Sequence, residues 1–498
     1  MNTAPFIVIA ILLPILAGLY MFIFKVEDRK SRQTFVSVAV IISSICAMIA
    51  VLFTGDGEQY KLIQFSEKLS ISVHVDGLTK VFASIVALLW VPSTFYSLEY
   101  MKHEGQENRF FSFFLMSQGV ALGVAFAANP LTLYLFYEFL TLATTPLVMH
   151  SMDDKARSAG KKYIAFSMSG AAMGFLSIMF LLMYSGDITY TMGGTMDPAN
   201  VAGNETFLRL AYLFGFFGFG VKAAVFPCYA WLTAASVAPT PVSALLHAVA
   251  VVKSGVFAVI RLTYYGYGTE LLQGSFAQVV GIIAALITIL LGSTLALRTP
   301  HLKRRLAYST VSNLSYMIFS AMLLSGAGLV GAMTHMIAHA VIKITLFFCA
   351  GAIIYKTGNE YVYQLEGYGK RMPIVMATFT ISGLGLIGLP PFGGFMGKWM
   401  IGTAAMSTGT VLGYIGVGVL IVSALLTLLY QMTTIIPAYF PRKSVQITDN
   451  KDPNKLMTVP LIILCILQLI MPFFGSALVD FLQGGICMMT NVLSKEVG

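Results

Sequence analysis

Charge is scarce along this sequence, and acid is scarcest. Of 498 residues only 22 are Asp or Glu, against 31 Lys or Arg and seven His, so charged residues make up 11%. Soluble domains average about 25%, so a water-soluble globule is excluded. The five cysteines, Cys46, Cys228, Cys349, Cys465 and Cys487, sit singly in apolar segments with no CxxC pair and no metal-ligand spacing. That pattern argues against an iron–sulfur cluster or structural zinc and leaves them as small core residues. No HExxH occurs, so no metal site and no cofactor is expected on this chain. Loops are short, the longest being 54–76, 185–205 and 439–455, which leaves no room for a soluble domain. The net charge of +9 is dispersed over those loops with no domain to present it, so no nucleic-acid partner is expected. Gly383-Leu-Gly385-Leu-Ile-Gly388 satisfies GxGxxG, but it lies inside an apolar run with no strand before it. Close helix packing, not dinucleotide binding, is the expectation there.

What the chain has in abundance is apolar length. Hydrophobic residues are 57% of it and the mean hydropathy is +0.80. Apolar runs fall near 5–24, 33–53, 77–98, 109–127, 129–150, 161–184, 206–232, 240–264, 275–298, 303–325, 328–355, 373–402, 410–438 and 456–483. Each is long enough for a bilayer core. The expected fold class is therefore an all-α polytopic membrane protein of about fourteen transmembrane helices. The first run lacks a basic flank and a cleavage site, so a retained helix is expected. Basic residues cluster after helices 1, 3, 5, 9, 11 and 13, while the opposite side holds Lys61, Lys68 and Lys495. The positive-inside rule then places both termini outside.

Two runs are interrupted, one around Phe226-Pro227 and one at Leu389-Pro390-Pro391-Phe392-Gly393-Gly394. Broken helices at corresponding places in two halves point to an inverted-repeat transporter. The expected division is helices 1–3 (1–108), a first repeat of helices 4–8 (109–264), a second of helices 9–13 (265–438), and helix 14 with its tail (439–498). Breaks free backbone groups at membrane depth, which are tolerated only against protein or water. The bland alternative is that Pro and Gly merely kink helices for packing.

Against this background six ionisable residues stand out: Glu138, Lys222, Lys253, Lys343 and Lys398 within apolar runs, and Lys80 near the start of one. A charge at mid-bilayer costs about 2.5–3.5 kcal/mol on insertion scales unless paired or wet. Several together point to proton or ion movement. Thr141 and Thr145 follow Glu138 on one helix face. The expected partner of Glu138 is Lys222, and the alternative is a static ion pair. His247 precedes Lys253 by six residues and titrates near neutrality, or else is a satisfied hydrogen-bonding group. His335, His339 and Lys343 recur every four residues and form one stripe rising about 12 Å. A proton relay suits that stripe better than zinc, since no carboxylate or cysteine lies near. Ser309, Ser312, Asn313, Ser315 and Tyr316 give the preceding helix a polar face able to hold water or to bond a neighbouring helix.

The stretch VKAAVFPCYAWLTAASVAPTPVSALLHAVAVVKSGVFAVIR resembles the antiporter-like subunits shared by respiratory complex I, Mrp antiporters and energy-converting hydrogenases. HLKRRLAYSTVSNLSYM, HMIAHAVIKITLFFCAG and GLPPFGGFMGKW look like the same family, and the likeness covers roughly 75–440. The resemblance implies two inverted five-helix repeats and a proton-transfer set of Glu138, Lys222, Lys253, His335, His339, Lys343 and Lys398, to which the reading of the residues adds His247. It also implies membrane-subunit partners in a multisubunit complex of the prokaryotic cell membrane. The ions would be protons, with Na+ an open second. Tyr229, Thr233 and Ser236 replace a histidine, a proline and a histidine of the usual pattern, which alters the surroundings of the first half-channel. No long lateral helix follows helix 14, and position 398 is lysine where the middle complex I subunit has glutamate, so a D-type Mrp-like subunit is the preferred placement. The rivals are a stand-alone secondary carrier, which needs a substrate-sized polar pocket, and a quinone-reducing subunit, for which cofactor ligands are missing.

Overall fold

The computed structural model describes residues 3–55, 58–66, 69–442 and 451–474. Residues 475–483 of the last expected helix, Cys487, Lys68, Lys443, Lys495 and the C-terminal tail lie outside the described residues.

The chain opens with α1 (Ala4–Phe24) and α2 (Arg29–Phe53), then a short antiparallel hairpin of β1 (Gln59–Gln64) and β2 (Ser70–His74), with Gln59 opposite His74. The sequence reading had only a loop here. The hairpin is held from outside itself: the Asn129 amide donates to the Ser70 carbonyl and Ser72 hydroxyl, each 2.8 Å away. Next come α3 (Gly77–Tyr100), α4 (Glu107–Phe126), α5 (Pro130–Val148) and α6 (Asp154–Tyr184). After the short α7 (Pro198–Val201) follow α8 (Glu205–Gly220), α9 (Ala230–Ala234), α10 (Thr240–Ala248) and α11 (Val251–Ile260), the last continued by a wider π-type turn, Arg261–Tyr267. The second half holds the short α12 (Thr269–Leu272), then α13 (Phe276–Arg298), α14 (Leu302–Ala321) and α15 (Gly326–Thr357). It ends with the short α16 (Tyr368–Arg371), then α17 (Pro373–Ile387), α18 (Gly393–Ser407), α19 (Val411–Tyr439) and α20 (Lys455–Ile470).

Local chemistry sets these boundaries. Asp28, Asp76, Asn129, Asp153, Ser325 and Thr410 each accept a bond from a backbone N–H three residues on, capping α2, α3, α5, α6, α15 and α19. Proline opens α5 and α17, where its missing N–H costs nothing. Eleven helical segments among the described residues are long and apolar enough to cross a membrane. Three expected runs fall outside that set. Glu205–Gly220 and Pro373–Ile387 are shortened by the breaks that follow them, and Leu302–Ala321 is made polar by the hydroxyls and cations on its own face.

The interior is a column made by α10, α11, α14 and α15. Every residue from Thr240 to Tyr267 is buried, whereas α1, α19 and α20 expose rows of leucine, isoleucine and phenylalanine.

Candidate functional site

Both expected breaks are present, and each places a lysine. Between α8 and α9 the chain loses its helix over Val221–Tyr229, which contains Pro227, and Ala224 adopts a φ of 56°. Lys222 lies inside this break. Its Nζ donates to the Tyr137 carbonyl on α5 and sits 3.4 Å from the centre of the Tyr137 ring. Its ammonium is thus solvated by α5, not by the freed carbonyls of its own break. Glu138, the next residue on α5, places Oε1 4.0 Å from Lys222 Nζ. The expected pair therefore forms, at a loose distance. Lys222 is enclosed while the Glu138 side chain is 26% exposed on the flank of the molecule, beside outward-facing Phe139 and Leu142.

The second break runs from Gly388 to Phe392 and holds Pro390 and Pro391; Gly393 and Gly394 are already the first residues of α18. Gly388 ends α17 with a φ of 89°, a value open to glycine. Lys398 folds back from α18 so that Nζ donates to the carbonyls of Leu386 at 2.7 Å and Ile387 at 2.9 Å. A cation at the C-terminal end of α17 also meets the negative end of its dipole. The Gly383–Gly388 motif thus serves helix packing and the break.

Between the two breaks lies a row of wholly buried groups. Lys253 Nζ is 2.6 Å from His339 Nδ1. A charged lysine makes that nitrogen the acceptor and puts the ring proton on Nε2, which has no hydrogen-bond partner among the described residues. One turn away on α15, His335 directs Nε2 at Asn313 Oδ1, 3.1 Å off, and leaves Nδ1 without a partner. The two imidazole centroids are 5.9 Å apart. Lys343 leaves the stripe: its Nζ donates to the Leu306 carbonyl at 3.0 Å and to the Ser309 hydroxyl on α14. His247 lies against the Phe347 ring, 4.8 Å between centroids, and neither of its nitrogens has a partner among the described residues. It is therefore not the satisfied core histidine that the sequence left open. Each unpartnered ring nitrogen is a buried polar group of the kind that water completes.

Helix geometry supports the row. Just before Lys253 the amides of Val249 and Ala250 both reach back to the Leu245 carbonyl, a local widening between α10 and α11. It leaves the His247 carbonyl facing Lys253 Nζ at 3.5 Å. No glycine or proline marks this third irregularity, so the sequence did not betray it. Gly397 brings α18 against α15: a Cβ there would stand 2.7 Å from the His335 Cα. Beside Lys398, the Tyr316 ring centre is 5.3 Å from Nζ, and the Tyr316 hydroxyl donates to Ser423 at 2.7 Å. Ser423, Ser312 and Ser293 share further hydroxyl bonds across α19, α14 and α13.

One buried ion pair escaped the sequence reading. Arg261, in the π-type turn, donates to both oxygens of Asp76, at 2.5 and 2.7 Å, and to Thr79 at 2.8 Å. His74 Nε2 lies 3.3 Å from Asp76 Oδ2. Asp76 stands outside the spans, at the cap of α3. Burial pushes its carboxyl up, and Arg261 and His74 overcome that and hold it well below the usual carboxylate range. The signal was present, since Arg261 is an arginine inside an apolar run.

Residues 127–427 match the family described as NADH:quinone oxidoreductase/Mrp antiporter, TM. The chain belongs to this family. Residues 63–111 match the N-terminal segment described as NADH-Ubiquinone oxidoreductase (complex I), chain 5 N-terminus. Among family members, a Na(+)/H(+) antiporter subunit of Alkalihalophilus pseudofirmus is 31% identical over 420 residues, covering 79% of this chain and 50% of that protein. The NADH-quinone oxidoreductase subunit N of Desulforudis audaxviator is 29% identical over 406 residues, 81% of this chain and 79% of its own length. The fold agrees with that of two solved structures. One is the membrane-bound sulfane sulfur reductase, an archaeal respiratory membrane complex (TM-score 0.84, 21% identity, 96% of each chain). Another is the Mrp complex from Dietzia sp. DQ12-45-1b (TM-score 0.84, 18% identity, 97% of each chain). The relatives are thus membrane subunits of Mrp, complex I and related respiratory assemblies.

Proposed function

We propose that this chain is the proton-translocating, antiporter-like membrane subunit of a multisubunit ion-pumping complex, of D-type Mrp or hydrogenase-like kind. The observation that carries the reading is the row from the part-exposed Glu138 and buried Lys222 through the wholly buried Lys253, His339 and His335 to the half-buried Lys398. It is a line of exchangeable charges separated by unpartnered ring nitrogens. A substrate carrier calls for one polar chamber instead. The row fits two inverted repeats, 109–264 and 265–438, within fourteen membrane crossings and with both termini outside.

Protons are the proposed cargo and Na+ a candidate counter-ion. No cofactor belongs to this chain in this reading, so the driving force is a partner subunit's reaction or an ion gradient. An input of about 2.3 kcal/mol per charge per 100 mV is what full transfer requires. Glu138, part-exposed on the flank at bilayer depth, calls for cover by a neighbouring subunit, because lipid is a poor surrounding for a carboxylate.

The test is Glu138→Gln in the assembled complex, reconstituted in proteoliposomes with a pH-sensitive dye. Glutamine keeps the shape and removes the charge that balances Lys222. Transport is expected to stop while assembly persists. Pumping at the wild-type rate by this variant refutes the proposal.

A further inference from the structure

Lys303 stands in a run of loop cations, Lys303-Arg304-Arg305, yet Arg304 is exposed while Lys303 is 7% exposed. Among the described residues no carboxylate is bonded to its ammonium. Instead Nζ donates to the Ala238 carbonyl, 2.7 Å away. The same carbonyl accepts from the Ser243 hydroxyl at 3.2 Å, so amine and hydroxyl converge on one acceptor. Ser243 and His247 are four residues apart on α10 and therefore share a face, one turn from each other. His247 is fully buried with both ring nitrogens unpartnered. Its carbonyl in turn faces Lys253.

Two carboxylates near Lys303, Glu104 and Glu360, are exposed. The charges of Glu360 and Glu104 reach it, and Glu360 also pairs with His301 at 3.4 Å. By sequence alone Lys303 belongs with the basic residues that follow helix 9 and set orientation. The fold places it instead as a buried cation between the exposed Glu104 and Glu360 at the basic end and the unpartnered His247 of α10.

We propose that Lys303, with Ser243, is the uptake relay that carries protons from water beside the exposed Glu104 and Glu360 to His247, and thence to Lys253. This rests on the proton-translocation reading above. In the step, an N–H bond on the Lys303 ammonium breaks and its proton passes to the Ser243 hydroxyl. That hydroxyl releases its own proton through bridging water, and an N–H bond forms on His247. The neutral Lys303 amine regains a proton from water held at the carboxylates. One positive charge moves inward and no electrons are exchanged.

An anchoring lysine makes a different prediction, and arginine separates the two. Lys303→Arg keeps a cation able to donate to Ala238, but a guanidinium does not give up its proton. In the reconstituted assembly, Lys303→Arg and Lys303→Ala are both expected to slow proton transport about tenfold or more. Glu104→Gln combined with Glu360→Gln is expected to raise the proton concentration needed for half-maximal rate. Lys303→Arg at the wild-type rate overturns the relay and leaves an anchor. Should the Lys303 variants fail to assemble, the carboxylate pair and Ser243→Ala decide, and an unchanged proton dependence in both overturns the relay. Transport that is lost in Glu138→Gln but indifferent to Lys303→Arg removes this inference alone. A wild-type assembly that moves no protons removes the reading beneath it, and the inference with it.

Discussion

Arg261 and Asp76 are 185 residues apart and meet in two short bonds, with His74 and Thr79 completing the cluster. Three rings, of Tyr190, Phe257 and Tyr265, stand within 5.3 Å of the guanidinium carbon, so little water shares its charge. Removing one partner leaves the other buried and uncompensated. Asp76→Asn is therefore expected to cost about 3 kcal/mol of stability at neutral pH. Because the folded carboxyl is held below its usual range, its contribution is full above about pH 4 and is lost as pH falls towards the folded value. Thermal unfolding in detergent across pH 3–7 should show a steeper acid loss for the wild type than for the variant. Equal curves would show that the pair is inert. A charge inside an apolar run announces itself, and so Glu138, Lys222, Lys253, Lys343 and Lys398 were legible in the sequence. Asp76 was not, because it lies in a loop and nothing in residue spacing links positions so distant. Lys303 was hidden by its exposed neighbour Arg304, since burial is decided by what the fold lays over a residue.

At the scale of elements, two of three irregularities were written in proline and glycine. The third, at Val249 and Ala250, arises where both amides compete for the Leu245 carbonyl, a matter of tertiary packing that leaves no local mark. The β1–β2 hairpin was likewise unread because its main anchors, Asn129 and Thr132, lie at the start of α5. Helix contacts in a membrane depend on close approach of small residues, and α18 offers a controlled comparison. Gly397 faces the His335 backbone at 2.7 Å for an added Cβ, while Gly402 on the same helix faces open space. Gly397→Ala should cost about 1–3 kcal/mol by forcing α18 off α15. Gly402→Ala should be neutral or gain up to about 1 kcal/mol from helix propensity. Unfolding midpoints of the two purified variants check this, and equal effects would deny that α18 is pinned at His335.

For the molecule as a whole, the question is whether the row conducts when nothing drives it. Hydrogen bonds join Lys253 to His339 and His335 to Asn313, and the Glu138–Lys222 pair stands apart at 4.0 Å. Among the described residues no bond joins Lys222 to Lys253, or His335 to Lys398. The nitrogens of His247, His335 and His339 that lack partners among the described residues are where water can complete the row, so conduction depends on water entering. Electrostatics opposes filling all sites together: a unit charge 8 Å from its neighbour costs about 2 kcal/mol at an effective dielectric of 20. With Lys253 and Lys343 wholly buried, Lys398 half-buried and no acid paired with any of them among the described residues, loading one site expels charge from the next. Such a row passes protons stepwise when a partner shifts the Glu138–Lys222 pair, and holds them otherwise. The isolated wild-type chain in liposomes should therefore sustain a pH gradient as well as protein-free liposomes do. In the assembly, Lys253→Ala alone should uncouple the two halves with Glu138 and Lys398 intact. An entrapped pH dye reads both, and rapid leak through the isolated wild-type chain would mean that the row is an open wire and that gating lies outside it.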